Sequence, residues 1–282
     1  MKRTSLALIL ILSLILVVVV PLFIHLATIS TFSIITIKPD GSIEGTDKIQ
    51  RNENIYTLTG NLSGSIEVQR SYIVIDGAGY AIEGNGEGFG IDLNNDHGVD
   101  PSRPQIKNVT IKNLKIANFS HAIEFLPSVN DTFIGNYVAD CTMGFNIWRT
   151  ANHTLMHNTI ENCVTGITVS FGGRGNVITE NNILNSSVYA MFSPDNTFDR
   201  NYWSDYLTKY PNAKEIGNTG IWDKPYEGRE SFVDNHPLVE PVAINPELEK
   251  EEPFPTTLVL ASIITVIVVG VGLLVYFKKR KH

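Results

Sequence analysis

The fold of this chain is decided by residues 109–192, which read VTIKNLKIANFSHAIEFLPSVNDTFIGNYVADCTMGFNIWRTANHTLMHNTIENCVTGITVSFGGRGNVITENNILNSSVYAMF. Aligned in steps of about 22 residues, with one single-residue insertion, this stretch repeats itself. Self-similarity at a fixed period of this length predicts a solenoid. Apolar residues recur in four columns: Ile111, Phe133, Leu155 and Ile178; Ile116, Val138, Ile160 and Ile183; Ile123, Phe145, Ile167 and Ala190; and Phe125, Ile147, Val169 and Phe192.

The residue types choose among the solenoids. Each repeat holds short β-rich runs separated by Asn, Gly, Asp and Ser, and it shows no helical pattern. Leucine-rich repeats share the period, but their fixed leucines and their consensus Asn or Cys do not recur here. We therefore predict an all-β, single-stranded right-handed parallel β-helix, whose residues stack about 4.8 Å apart. A fifth column is expected to form the left-handed bends and to hydrogen-bond along the stack: Asn136, Asn158, Asn181 and Asn201.

The segments outside the repeats differ from them in composition. Strand-like pieces and Gly or Asp turns precede the repeats, and an aromatic-rich segment without the period follows them. Such segments are expected to cap a solenoid, because an uncapped stack exposes strand edges and core to water. We divide the chain into a signal peptide or N-terminal anchor (1–30), an N-terminal cap with the first strands (31–71), the repeats (72–195), a C-terminal cap (196–238), a Pro/Glu-rich stalk (239–255), a transmembrane helix (256–277) and a basic tail (278–282).

Two apolar segments indicate export and membrane anchoring. Residues 6–24 follow a basic start, which is typical of a signal peptide or an uncleaved anchor, and we favour cleavage between Ala27 and Ser33. Residues 256–277 carry no charge and precede four basic residues at 278–281, as expected for a transmembrane helix with a cytoplasmic flank. We therefore predict a single-pass protein of the cell membrane with an extracellular N-terminal domain.

The charge balance of the predicted external part limits its partners. Six of the 22 Lys and Arg residues lie in the two basic ends, so the external part carries 16 bases and 29 acids, about −13. An acidic exterior disfavours nucleic acid and anionic membrane surfaces as ligands. Sequons for N-glycosylation fit an exported chain, and they occur at Asn61, Asn108, Asn118, Asn130, Asn152 and Asn185.

The two cysteines, Cys141 and Cys163, lie one repeat apart. Stacked coils would bring their Cα atoms to about 5 Å, which is within the range for a disulfide. Outside the cell such a bridge is chemically permitted. A pair of small buried thiols is the alternative.

The repeat columns favour a protein without catalytic activity. Sugar-cleaving enzymes need paired carboxylates, but Glu124 has only Asn146 and Thr168 as neighbours in its column, and no column pairs two acids. Acids of the aperiodic segment 84–105, such as Asp92, could still complete a site. We predict no catalytic residue.

Metal binding is also not favoured by the pattern. Imidazole, thioether and thiolate groups suit Cu(I), and a candidate set lies on two neighbouring coils: Cys141, Met143, His153, Met156 and His157. Because Leu155 belongs to an inward column, Met156 should point outward and the flanking histidines elsewhere. We predict no metal ion and no cofactor.

Sugar binding has better candidates. If Ile147 and Val138 point inward, Trp148 and Tyr137 point outward, with Arg149 beside Trp148. Aromatic rings of this kind can stack on sugars, although a loop or the cap could equally cover them. Trp203 and Tyr206 are expected to plug the end of the core instead.

Several segments resemble NosD-like right-handed β-helix proteins, especially archaeal surface members. They are IYTLTGNLSGSIEV (55–68), YIVIDGAGYAIEG (72–84), NVTIKNLKI (108–116), NYWSDY (201–206), KPY (224–226) and DNHPL (234–238). The resemblance covers residues 42–239, and it implies two activities. The family takes its name from a periplasmic protein that helps to mature the copper site of nitrous oxide reductase. Its repeat domain is also known as a carbohydrate-binding and sugar-hydrolase module.

We expect a surface module that binds carbohydrate or other components of the cell envelope. Its expected partners are the membrane, surface glycans and envelope proteins, and not nucleic acid. A polysaccharide-degrading lyase or hydrolase and a copper-delivery accessory protein are the alternatives.

Overall fold

The computed structural model describes residues 32–93, 105–193, 195–229 and 232–244. They belong to one compact unit, residues 31–250. The described chain forms short strands and one helical turn, α1 (Tyr206–Lys209). In chain order the strands are β1 (Ser33–Ile37), β2 (Ile43–Glu44), β3 (Ile49–Asn52), β4 (Ile55–Leu58), β5 (Leu62–Val68), β6 (Val74–Asp76), β7 (Ala81–Glu83), β8 (Phe89–Asp92), β9 (Thr110–Lys112), β10 (Lys115–Ala117), β11 (His121–Glu124), β12 (Thr132–Ile134), β13 (Tyr137–Ala139), β14 (Met143–Trp148), β15 (Thr154–Met156), β16 (Thr159–Glu161), β17 (Thr165–Ser170), β18 (Val177–Thr179), β19 (Asn182–Leu184), β20 (Ser187–Met191), β21 (Thr197–Asp199), β22 (Tyr202–Trp203), β23 (Tyr226–Glu227) and β24 (Val233–Asp234).

These strands stack as an all-β parallel solenoid of about six coils with repeats of about 22 residues. Each full coil adds one strand to each of three sheets. The first sheet contains β4, β6, β9, β12, β15, β18 and β21, the second β7, β10, β13, β16, β19 and β22, and the third β8, β11, β14, β17 and β20. β5 pairs with both β7 and β8 and so joins the second and third sheets at one end. The right-handed winding stays a prediction.

The repeat columns account for the core. Ile111, Phe133 and Leu155 are direct partners on neighbouring strands, and none of them is exposed to solvent. Side chains alternate between the two faces of a strand, so each short strand turns one or two residues of these columns inward. The predicted columns therefore form a continuous apolar core along the solenoid.

The last coil departs from the predicted register. Val169 pairs with Ala190, and Ile167 pairs with Val188, because the strand β20 has no counterpart of Gly166. The predictions that Phe192 shares the inward column of Val169 and that Ala190 shares the column of Ile167 are therefore wrong. Phe192 lies beyond the end of β20 and is 76% exposed.

A ladder of buried asparagines runs along one corner of the solenoid. The backbone N–H of Asn158 donates to Oδ1 of Asn181 at 3.0 Å, and its Nδ2 donates to the same atom at 2.9 Å. The predicted hydrogen bonding between coils is thus confirmed. The predicted role in bending is wrong, since the residue before each asparagine has the positive φ. The ladder contains Asn136, Asn158, Asn181 and Asn201, and the bend residues are Gly135, His157, Glu180 and Arg200.

The ladder ends on Asp234, a fully buried carboxylate. Its Oδ1 accepts hydrogen bonds from the backbone of Arg200 and His236, at 3.0 and 3.1 Å. Its Oδ2 accepts from the backbone and side chain of Asn201, at 2.9 and 3.2 Å, and from the Trp203 indole at 3.1 Å. Five donors therefore converge on one carboxylate, which joins the C-terminal segment to the last coil.

Aromatic residues close this end of the core. Trp203 and Tyr206 are buried, as the sequence predicted. Trp203 stacks on Tyr226 with ring centres 4.1 Å apart, and Tyr206 stacks on Trp222 at 5.1 Å. The cap thus gives the last coil an apolar cover.

The predicted membrane segments, residues 1–30 and 256–277, lie outside the described residues. Within the residues that are described, no helix is long and apolar enough to cross a membrane. The first part of the predicted stalk lies against the solenoid, because Val242 exchanges two hydrogen bonds with the Asn182 side chain.

Candidate functional site

The sequence-predicted aromatic residues Tyr137 and Trp148 lie on different sheets. Tyr137 begins β13 in the second sheet, and its hydroxyl donates to Glu161 at 2.6 Å. Trp148 ends β14 in the third sheet and is half-buried, with the Arg149 guanidinium 5.4 Å from its ring centre. Only Trp148 and Arg149 therefore share a surface.

Two phenylalanines that the sequence did not indicate extend the surface around Trp148. Phe171 lies on the next coil, with its ring 6.2 Å from that of Trp148 and perpendicular to it. Phe192 follows one coil further on, 6.3 Å from Phe171. We call Trp148, Phe171 and Phe192 the aromatic ladder. Phe171 is 55% exposed and Phe192 is 76% exposed, so the ladder presents apolar rings to solvent.

The backbone holds the exposed rings in an unusual conformation. Arg149, Phe171 and Phe192 have φ values of 56°, 52° and 49°. This left-handed region suits Gly and Asn, whereas bulky side chains occupy it only at a cost. The same conformation recurs at other turns of the coils, for example at His157 and Glu180, so what distinguishes Phe171 and Phe192 is that large apolar rings in it are exposed.

Sequence reasoning missed these phenylalanines for a local reason. Phe171 precedes two glycines and lies in a turn, where an outward apolar residue gives no periodic signal. Phe192 was assigned inward because the missing counterpart of Gly166 was not recognised. A comparison of the distances between successive asparagines could have shown the shorter last coil, since Asn181 and Asn201 are 20 residues apart and Asn158 and Asn181 are 23 apart.

Three acids occupy one column of the third sheet, and the prediction that no column pairs two acids is therefore wrong. Asp92 in β8 lies between Glu67 and Glu124 on the adjacent strands. The repeat pattern predicts no register for Asp92 because the period breaks in its segment. Asp92 and Glu124 are only 4% and 7% exposed, and Asn146 donates to Glu124 at 3.0 Å. Asp92 and Glu124 are therefore enclosed, whereas Glu67 is only partly buried.

A hydroxyl, an imidazole and a carboxylate lie next to one another in the order of a hydrolase triad. Their burial makes them unlike a catalytic triad. Thr150 Oγ1 lies 2.6 Å from His153 Nε2, and His153 Nδ1 lies 3.4 Å from Asp131 Oδ2. A catalytic triad needs a nucleophile that reaches substrate, but all three residues are buried. His153 also accepts the backbone N–H of Asp131 at 3.3 Å. These three residues are therefore part of a second series of buried polar side chains inside the solenoid, separate from the asparagine ladder.

The comparisons with known proteins agree with this architecture. A family model described as "Periplasmic copper-binding protein (NosD)" matches residues 47–228, well over half of the chain. The chain belongs to the NosD family. The family places it among periplasmic or extracellular β-helix proteins. No curated protein and no solved structure gave a significant match.

The NosD family is described as copper-binding. In this chain the five candidate copper ligands from the sequence do not come together at one place. Met143 faces outward from the third sheet and Met156 from the first. His153 is fully buried, and His157 pairs with a glutamate at 2.7 Å. Among the residues that the structure describes, no three His, Cys, Asp or Glu side chains could together hold a metal ion. These residues do not fit a copper centre.

Cys141 and Cys163 are buried on neighbouring coils, and no bridge joins them in this structure. The neighbouring Cys163 thiol lowers the pKa of Cys141, and the Cys141 thiol together with burial raises the pKa of Cys163. The disulfide stays a prediction. Mass spectrometry of non-reduced peptides distinguishes a linked Cys141–Cys163 pair from two alkylated thiols.

The sequon asparagines lie at turns of the solenoid. Five of the six have the left-handed conformation, and the side chain of Asn152 donates its Nδ2 to Asn130 at 3.1 Å. Glycosylation uses that nitrogen and so competes with stacking between coils. Asn61 is exposed, and its side-chain Oδ1 accepts a hydrogen bond from the backbone N–H of Ala81 at 2.9 Å. N-glycosylation stays a prediction, at Asn61, Asn108, Asn118, Asn130, Asn152 and Asn185.

Proposed function

We propose that this protein is a membrane-anchored, exported right-handed β-helix that binds carbohydrate through the aromatic ladder without cleaving it. The observation that carries the proposal is the exposure of Phe171 and Phe192 on consecutive coils in a strained conformation. Flat apolar rings spaced along a solenoid can pack against successive rings of a saccharide chain. Arg149 at the end of the ladder supplies hydrogen-bond donors for sugar hydroxyls.

The anchoring part of the proposal rests on the sequence. Residues 256–277 carry no charge and are followed by a basic cluster, which supports a membrane helix with its flank in the cytoplasm. The family's description as periplasmic supports an exported solenoid.

A glycan array probed with the full-length chain tests the binding function. We expect selective binding that is lost in Trp148→Ala, because the ring of Trp148 supports Phe171 and the Arg149 guanidinium. Tyr137→Ala is the matched control, since Tyr137 lies on another sheet, and it should leave binding unchanged. Absence of binding to any glycan, or equal loss in both variants, would refute the proposal.

A polysaccharide-degrading activity is the second candidate, and the register of Asp92 between Glu67 and Glu124 is what favours it. Hydrolases use two carboxylates close together on either side of the cleaved bond. We expect no release of reducing ends from polysaccharides, since Asp92 and Glu124 are enclosed. Release that disappears in Glu124→Gln would establish an enzyme instead.

The strain at the ladder predicts a trade-off between stability and binding. Phe192→Asn places a residue that tolerates the left-handed region at a position where the ring packs little. We expect the free energy of unfolding to rise by about 1 kcal/mol, measured by urea denaturation, while glycan binding weakens. Asn162→Ala is the opposite control, because it removes a favoured residue from an exposed left-handed turn. It should lower stability and leave binding intact.

A further inference from the structure

A cleft of about 320 Å³ lies where the last coil meets the C-terminal cap. Its coil wall is the start of β20, from Ser187 to Val188, and its cap wall includes Tyr226 and Phe232. Val188, Tyr226 and Phe232 are buried residues and provide an apolar floor. The volume is at the lower end of the range for small-molecule sites in proteins.

Two cationic side chains line this cleft. Lys209 Nζ lies 4.4 Å from the centre of the Tyr226 ring and donates to the backbone carbonyl of Glu227. The Arg229 guanidinium lies 5.8 Å from the Tyr189 ring and donates to its hydroxyl at 3.2 Å. Each cation is held in place by an aromatic ring.

Neither cation forms an ion pair with an acid of the described chain. The ion pairs there involve other bases: Lys38, Lys112, His153, His157, Arg200 and His236. The chain as a whole carries a net charge of −7. The lining of this recess contains these two cations and one acid, Asp205, so it is net positive in an acidic protein and attracts an external anion.

The remaining polar groups suit a hydroxylated ligand. Asp205 lies in the cleft and accepts a hydrogen bond from the Tyr226 hydroxyl at 3.1 Å. Burial and the negative charge of Asp205 raise the pKa of Tyr226, which keeps this hydroxyl protonated as a donor. The carboxylate retains lone pairs for further donors, and Ser187 and Thr208 add hydroxyls to the wall.

We propose that this cleft binds a single sugar unit carrying an oxyanion, as a phosphate, a sulfate or a carboxylate. Lys209 and Arg229 bind the oxyanion, Asp205 accepts from the sugar hydroxyls, and the apolar floor packs against the ring. The site is separate from the aromatic ladder, and it does not depend on the ladder binding carbohydrate.

Calorimetry on the full-length protein tests the cleft with glucose 6-phosphate, galactose 6-sulfate and glucuronate as probes, and with glucose as the neutral control. We expect at least one anionic probe to bind, more weakly at higher salt, and glucose not to bind. Lys209→Gln and Arg229→Gln should each weaken that binding roughly 10- to 100-fold. The controls Arg174→Gln, an exposed arginine away from the cleft, and Phe192→Asn, in the ladder, should not change it.

A second experiment distinguishes a free charged sugar from the charged end of a saccharide chain as the ligand. An oligosaccharide ending in the same charged unit should bind at least as tightly as the free sugar if the cleft receives chain ends, and more weakly if it receives free sugars. Absence of binding of all three anionic probes, equal binding of glucose, or unchanged affinity in the double variant at Lys209 and Arg229 would overturn the proposal.

Discussion

Replacing Asp234 with alanine is expected to lower the free energy of unfolding by about 3–5 kcal/mol. The change removes the acceptor of five hydrogen bonds and leaves buried N–H groups of Arg200, Asn201 and Trp203 without partners. Water cannot replace the carboxylate while the cap stays in place, so the cap should detach before the coils unfold. Urea denaturation followed by tryptophan fluorescence, together with limited proteolysis of the cap, measures both effects.

Asp199→Ala is the matched control for the change at Asp234. Asp199 pairs with His236 at 2.7 Å but is partly exposed, so its loss should cost less than about 1 kcal/mol. A cost at Asp234 that is no larger than at Asp199 would contradict the role of the buried carboxylate.

The pH dependence of the free energy of unfolding distinguishes the effect of the charge of Asp234 from the effect of its side-chain shape. Burial raises the pKa of Asp234, although the hydrogen bonds from Asn201, Trp203 and His236 act in the opposite direction. The folded protein therefore binds this proton more tightly than the unfolded chain. The contribution of Asp234 to stability should be fully present in acid and should fall as the pH rises through its raised pKa. Asp234→Asn cannot ionise and should lack this decline, which the difference between the two pH profiles would show.

Replacing Asn158 with alanine should destabilise the middle of the solenoid by roughly 3–5 kcal/mol. Asn158 is fully buried, and its Oδ1 accepts from both nitrogens of Asn136 at 3.0 Å. Its Nδ2 donates to the carbonyl of Phe133 at 2.9 Å and to Asn181. The variant therefore interrupts the ladder of buried asparagines between two coils and leaves buried hydrogen-bonding groups without partners.

Urea denaturation measures the effect, and Asn162→Gly is its control. Asn162 lies at the next bend of the same coil and is exposed. Its Oδ1 accepts one long hydrogen bond, from Nδ2 of Asn185 at 3.3 Å. Glycine adopts its left-handed conformation without strain, so the control should change stability by less than about 0.5 kcal/mol. A similar loss at both positions would indicate that the ladder adds no stability of its own.

The repeat made the fold and most of the register predictable. In a parallel stack each inward residue meets its counterpart one coil away, so Ile111, Phe133 and Leu155 could be aligned without a structure. The asparagine ladder followed from the same period. Its bends did not, because the left-handed residue is the one before each asparagine, and His157 or Glu180 carries no signal for that conformation.

The candidate site was harder to predict because it lies where the chain departs from the 22-residue repeat. The register shift beside Gly166 moved Phe192 from the core to the surface, and the interrupted segment hid the position of Asp92. Trp148 and Arg149 were found from alternation alone, since inward Ile147 implies an outward neighbour. Tyr137 was assigned outward by the same reasoning, but alternation cannot show that it belongs to another sheet.

The affinity of a saccharide for the full-length chain and for the Phe171→Asn/Phe192→Asn double variant tests the central claim most directly. The saccharide is the best ligand from the glycan array, and calorimetry measures both dissociation constants. Loss of both exposed rings should weaken binding at least about tenfold while the double variant unfolds at a higher urea concentration than the parent. Unchanged affinity in a folded double variant would contradict the assignment of the aromatic ladder as the carbohydrate-binding surface.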